Sequence, residues 1–168
     1  MSKKVKSSGI SFDTGIPLII PSTQEAFKDG NRFSNLVRKE EGEQLQKFKK
    51  ILGDQLGEKL KNLEIFPSQH EIFIFIMQFF KDEKEYRLRD VDNMAKTILD
   101  VLKSKVYHDD GQVRTLLVGK KIHNRVPQNF AYIAITELKS DRDVDALRDS
   151  GLERSITLFQ ELRSKNII

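Results

Sequence analysis

The run Glu71-Ile-Phe-Ile-Phe-Ile-Met-Gln-Phe-Phe80 constrains the fold of this chain more than any other segment. It is continuously apolar up to Gln78, so no alternation leaves one face of a strand to water. It is short for a helix, and rich in isoleucine and phenylalanine, which pack well on a pleated surface. Such a run reads as a strand buried on both faces, the central strand of a sheet.

The flanking sequence supplies layers for that strand. From about Glu41 to Leu63, Leu45, Phe48, Leu52, Leu56, Leu60 and Leu63 recur at spacings of three and four, which predicts a scaffold helix on the sheet. Gly53 and Gly57 each cost it about 1 kcal/mol relative to alanine, so packing must hold it. A second helix is expected over Asp92–Ser104, burying Met94, Ile98, Val101 and Leu102. Gln112–Val118 and Asn129–Leu138 read as strands connected past Pro127, and Pro17–Ile20 as a short strand stopped by Pro21-Ser22. Lys81–Arg89 reads as a polar loop, and Asp141–Lys165 as an amphipathic helical region bent or divided at Gly151. The expected architecture is a single mixed α/β (α+β) domain over residues 16–138, with a central mixed sheet flanked by helices. A flexible basic arm (1–15) precedes it and a C-terminal helical extension (139–168) follows it.

A chain of 168 residues suits one domain, and 38% hydrophobic with 32% charged residues describes neither a disordered nor a membrane protein. No apolar run approaches the roughly 20 residues that span a bilayer. Met1–Lys6 is basic, but no secretory h-region follows it. The absence of cysteine excludes disulfides and thiolate metal sites and suits a reducing compartment, so a cytoplasmic location is expected. His70, His108 and His123 lack zinc-ligand spacing. A net charge of +4 permits a polyanionic partner without demanding one.

Potentially reactive groups concentrate in Arg89-Asp90-Val91-Asp92-Asn93-Met94-Ala95-Lys96 and Asp109-Asp110-Gly111-Gln112. Asp90 and Asp92 fall where a loop meets a helix, a place that favours carboxylates through unpaired amides and the helix dipole. Asp92, Lys96 and Asp100 are four residues apart and share one face, away from the apolar stripe. Asp109 and Asp110 arrive just before a strand that would return beside Asp90 if it pairs with the central one. A plain structural account exists for each segment alone: a helix cap for Asp92, a turn for Asp109-Asp110-Gly111. Neither accounts for both acidic groups with a helical lysine between them. Oxygen ligands of this kind suit Mg²⁺ or Mn²⁺, which activate water and stabilise charge on a phosphodiester. Lys96 would be a compact charge for the same phosphate. Arg87, Arg89, Lys120, Lys121 and Arg125 are candidate contacts along a nucleic-acid backbone, or else a solvated rim.

At these residues the chain resembles the RusA-like family of Holliday junction resolvases. The family's Asp-x-Asp-Asn, its lysine three residues on, and its later Asp-Asp-x-Gln stand here as Asp90–Lys96 and Asp109–Gln112, with Leu99-Asp100-Val101-Leu102 similar to the helix between. The resemblance covers about Arg89–Lys121 and thins upstream of it. It implies Asp90, Asp92 and Asp110 as metal-binding and catalytic carboxylates, Lys96 as the catalytic lysine, and Arg89 as a DNA contact. Asp109 is demoted to a neighbour. The implied activity is a Mg²⁺-dependent endodeoxyribonuclease, with Mn²⁺ as a possible substitute, resolving four-way junctions as a homodimer in recombination and repair. No membrane or small-molecule cofactor is expected. The rivals are a metal-dependent nuclease on other branched DNA and a non-catalytic DNA-binding module.

Overall fold

The computed structural model describes residues 12–22, 32–61, 63, 66–138 and 152–167. The apolar run of the sequence is strand β2, Glu71–Phe79, and it lies inside the sheet, between two other strands. Strand β1 is Phe12–Ile16, helix α1 Arg32–Leu60, α2 Glu83–Leu88 and α3 Val91–Leu102. A single 3-10 turn, Asp110–Gln112, leads into β3, Val113–Lys121; β4 is Phe130–Leu138 and α4 is Leu152–Ser164. The strand order is β1-β4-β2-β3. β4 pairs antiparallel with both β1 and β2, and β3 pairs parallel to β2 with Ile74 opposite Leu116 and Phe79 opposite Lys121.

Parallel pairing of β2 and β3 requires a crossover, which α2 and α3 provide. The chain leaves the end of β2 and must return to the start of β3, so α3 runs back along the sheet. Its first residues therefore lie near the strands' C-terminal ends and its last near their beginnings.

Both faces of β2 are covered. Ile72, Ile74 and Ile76 pack with Phe48, Leu52 and Leu56 of α1 and Met94, Ile98 and Leu102 of α3. Phe73, Phe75 and Phe79 face the other way, against Phe130 and Tyr132 of β4 and Ile156 and Phe159 of α4. Phe130 and Phe159 meet edge to face at 5.3 Å, a favoured aromatic arrangement. The expected mixed sheet flanked by helices is the one observed.

Local differences have physical reasons. The first strand is Phe12–Ile16, not Pro17–Ile20, so residues 12–15, assigned above to the flexible arm, are sheet. Pro17 has no N–H to continue the ladder. The Pro17–Ser22 segment is instead held by side chains of β2 and α3: Ile20 N donates to buried Gln78 Oε1 at 2.8 Å, and Thr97 Oγ1 donates to the Pro21 carbonyl at 2.7 Å. α1 begins earlier than its apolar period announces, because Lys39-Glu40-Glu41-Gly42-Glu43 offers no stripe. The polar loop 81–89 contains α2, which has no fully buried residue, packs only Tyr86 against the core among its apolar side chains, and is capped by Asp82 accepting from Glu85 N at 3.1 Å. Residues 1–11, and 139–151 with the bend at Gly151, lie outside the described residues. No helix among the described residues is long and apolar enough to cross a membrane.

Candidate active site

Asp90 is the N-cap residue of α3, with extended backbone (φ −97°, ψ 138°), yet its side chain makes no capping hydrogen bond. Asp82 and Asp109, at the equivalent position of α2 and of the 3-10 turn, both do. Asp92 and Lys96 follow on the exposed face while Met94, Ala95, Ile98, Val101 and Leu102 fill the core behind them. The side chains of Asp90, Asp92 and Lys96 have no hydrogen-bond or ion-pair partner among the described residues. Two carboxylates are thus left unengaged at the positive end of a twelve-residue helix.

The second acidic group is built differently. Gln112 uses its whole carboxamide: Oε1 accepts from His108 N (2.8 Å) and Asp109 N (3.0 Å), while Nε2 donates to the carbonyls of Ser68 (2.8 Å) and His70 (3.1 Å). Asp109 accepts from Gly111 N at 3.0 Å and closes a capping box with Gln112. Asp110 accepts from Lys103 Nζ at 2.9 Å, and that ammonium stands 3.9 Å from Asp109 Oδ1. The bond to Asp110 raises the Lys103 pKa above the ordinary lysine value, with the Asp110 charge as the next cause. Buried Tyr107 donates its hydroxyl to the Leu99 carbonyl at 3.1 Å; burial first, and then the Asp110 charge, pushes its pKa up and keeps it a donor.

A cleft of about 730 Å³ runs between α3 and β3. Asp92, Lys96, Asp100, Lys103 and Asp110 line it, over an apolar floor that includes Val91, Leu99 and Leu116–Val118. It gathers Asp92, Lys96 and Asp110 from the expected set; Asp90, two residues earlier at the N-cap, is outside its lining. Lys103, at the foot of α3, holds Asp110 there. At about 1.5 Å per residue, the twelve residues of α3 span about 18 Å, so Asp90 and Asp110 stand at opposite ends. Consistently, no group of three or more His, Cys, Asp or Glu among the described residues is placed to hold a metal. The chemistry of the donors still fits a hard cation: oxygen only, with Asp90 and Asp92 unengaged and Asp110 already on a positive charge.

The basic residues sort by partner. Arg87 pairs with Glu83 at 2.8 Å and Arg89 with Glu85 at 3.7 Å, both within one turn. Lys120 donates to the carbonyls of Tyr86 (2.8 Å) and Arg89 (2.6 Å) and lies 4.5 Å from the Tyr86 ring centre, so it anchors the α2–α3 junction to β3. Those bonds also place the end of β3, with exposed Lys121 and the following turn with exposed Arg125, beside the head of α3. None of these five lines the cleft. The histidines form no shared site: His108 Nε2 meets Gln69 at 3.0 Å, and His123 Nδ1 accepts from Arg125 N at 3.2 Å.

Sequence reading missed Lys103, Tyr107 and the role of Gln112. Lys103 was within reach of it, since Asp92, Lys96, Asp100 and Lys103 continue one helical stripe of alternating charge.

The protein family described as Endodeoxyribonuclease RusA matches residues 19–135, which include both acidic motifs, all elements from α1 to β3 and β4 as far as Ile135. β1 and α4 lie outside that match. No curated protein matches the chain.

Proposed function

The chain belongs to the RusA endodeoxyribonuclease family, enzymes that act on branched DNA junctions, and on that premise we propose a divalent-metal-dependent resolvase that cuts four-way junctions by paired symmetric nicks. It is a crossover junction endodeoxyribonuclease by family; the residues, the cation and the assembly are the proposal.

One observation carries it. At the head of α3 stand two carboxylates and an ammonium, and among the described residues neither cap nor ion pair explains any of them. Asp90, Asp92 and Asp110 would be the oxygen donors for Mg²⁺, or for Mn²⁺ as a substitute. Such a cation, when bound, lowers the pKa of its water and neutralises charge on the phosphodiester. Lys96 adds a compact positive charge for the reacting phosphate, one turn from Asp92. Arg87, Arg89, Lys121 and Arg125 hold the phosphate backbone beside the helix head, and Lys120 positions the segment that carries Arg87 and Arg89.

The homodimer belongs to the same proposal. Two symmetric nicks need two sites related by a two-fold axis. The geometry adds a second reason: ligand bonds to Mg²⁺ are about 2 Å long, whereas a helix separates Asp90 from Asp110 in one chain. The helix head of one copy and the acid loop of another would complete a donor set that one chain leaves open.

The test uses a synthetic four-way junction with wild-type protein and Asp90→Asn, in Mg²⁺ and in EDTA. Paired nicks are expected only for wild type with metal, and fork or flap substrates serve as competitors. Equal cleavage by the variant sinks the assignment, and preference for a fork or flap sinks the junction substrate. Mixing Asp90→Asn with Asp110→Asn should restore nicking in trans; no recovery from the mixture refutes the shared site.

A further inference from the structure

Among the described residues, Asp110 alone of the three carboxylates assigned to the metal is taken by a lysine of its own chain. Lys103 lies outside the motifs that identify the family, and three features fix it on Asp110. It is the C-cap residue of α3, with its N–H on the Leu99 carbonyl at 3.0 Å. It forms an isolated bridge with Tyr107, and the turn between them is closed by Ser104 N on the Tyr107 carbonyl at 2.7 Å. The acid loop it meets is pinned by the four hydrogen bonds of Gln112.

Two adjacent carboxylates beside a third, Asp100, repel one another in the absence of a cation. An ammonium at 2.9 Å from one and 3.9 Å from the other relieves that repulsion. It also occupies Asp110 Oδ2, one of the two oxygens that this carboxylate can offer a divalent ion. A divalent ion and an ammonium on one carboxylate are like charges a few ångström apart, so binding of one weakens the other.

Resting on the metal-dependent reading above, we propose that Lys103 is a positioning residue and the resident counter-ion of Asp110: it aims that carboxylate into the cleft before metal arrives and yields it when metal binds. Metal uptake is then an exchange of cations, and Lys103 sets how tightly the ion is held. The released ammonium stays in the cleft, on the same lining as Lys96.

The experiment is a calorimetric Mn²⁺ titration of the full chain, with no DNA and no activity readout. The variants are Lys103→Met, Lys103→Arg, Asp110→Asn, the Lys103→Met/Asp110→Asn pair, and Lys105→Met as a bulk-charge control. Lys103 is 44% exposed, so methionine there leaves the core intact, and a melting curve checks it. Lys103→Met should bind Mn²⁺ about two- to fivefold more tightly, the range expected for an exposed ion pair. Lys103→Arg should match wild type, and Lys103→Met should change nothing once Asp110 is Asn. A merely structural lysine would give the opposite sign, weaker binding on removal. Equal or weaker binding by Lys103→Met, an equal gain in Lys105→Met, or the same gain without Asp110 overturns the proposal while the metal reading stands. A wild-type chain that takes up no Mn²⁺ overturns both.

Discussion

The Gln112 carboxamide nitrogen donates to the Ser68 carbonyl at 2.8 Å, tying the acid loop to the segment that opens β2. Its oxygen at the same time accepts two N–H groups of the loop itself. The glutamine of the Asp-Asp-x-Gln motif is therefore a bracket for Asp110, not a reacting group. Gln112→Ala leaves four backbone groups to find water, and should cost about 1–3 kcal/mol in denaturant unfolding. Gln112→Glu should lose as much or more, since a carboxylate would face the Ser68 and His70 carbonyls. Both variants should bind a four-way junction and cleave it slowly. A Gln112→Glu protein as stable and as active as wild type would count against the bracket.

Asp90 separates a cap from a site. Because its side chain does not bond the helix amides, Asp90→Asn should leave the melting temperature within error while abolishing cleavage. Asp82→Ala and Asp109→Ala remove real caps and should each cost about 1 kcal/mol. Asp90→Asn should also hold the junction at least as tightly as wild type, because a charge that repels phosphate is gone. Thermal melts and gel-shift titrations on the three variants check this; a marked loss of stability in Asp90→Asn would restore the capping account.

Much of this arrangement was legible before any coordinates. The β2 run declared its double burial because no polar position breaks it before Gln78, and α3 declared its exposed face through the period of Met94, Ile98, Val101 and Leu102. What escaped was set by contacts distant in sequence. β1 reads as part of a basic arm until β4 pairs with it. α2 is six residues long and rests on the core through Tyr86, so it has no stripe to detect. The distance between Asp90 and Asp110 depends on the direction of the crossover, which spacing along the chain does not reveal. Lys120 looks like any other surface lysine in sequence; its two carbonyl partners lie more than thirty positions away.

That difference between Lys120 and its neighbours is measurable by salt. A residue that contacts one DNA phosphate contributes about one unit to the slope of log K against log salt. Lys121→Met and Arg125→Met should each lower the slope by about that amount and weaken all DNA substrates alike. Lys120→Met should leave the slope unchanged, and instead reduce thermal stability and cleavage by loosening the α2–α3 junction. Fluorescence anisotropy across a salt series decides it, and a slope loss in Lys120→Met equal to that of Lys121→Met would place its ammonium on DNA.

β1 and α4, which lie outside the family match, are fastened to each other on one face of the sheet. Arg154 Nε donates to Asp13 Oδ2 at 2.8 Å, and the Tyr132 hydroxyl donates to the same oxygen at 3.2 Å. Two residues on, Gly15 has Phe130 and Leu162 so close that an added Cβ would overlap the Phe130 ring and approach Leu162 Cδ1 at 3.2 Å. Gly15→Ala forces the ring or the helix outward and should cost about 1–3 kcal/mol, the usual range for overpacking. Arg154→Met leaves the mostly buried Asp13 carboxylate with the Tyr132 hydroxyl but without its cation, and should cost about 1–2 kcal/mol after allowance for solvent at the arginine. Asp13→Asn paired with Arg154→Met should cost less than the sum of the two single changes, because the second removes a partner already lost. Urea unfolding of the four proteins gives the coupling directly. Strict additivity would mean that α4 is held by Ile156, Leu158 and Phe159 alone, with the ion pair contributing nothing to the clasp.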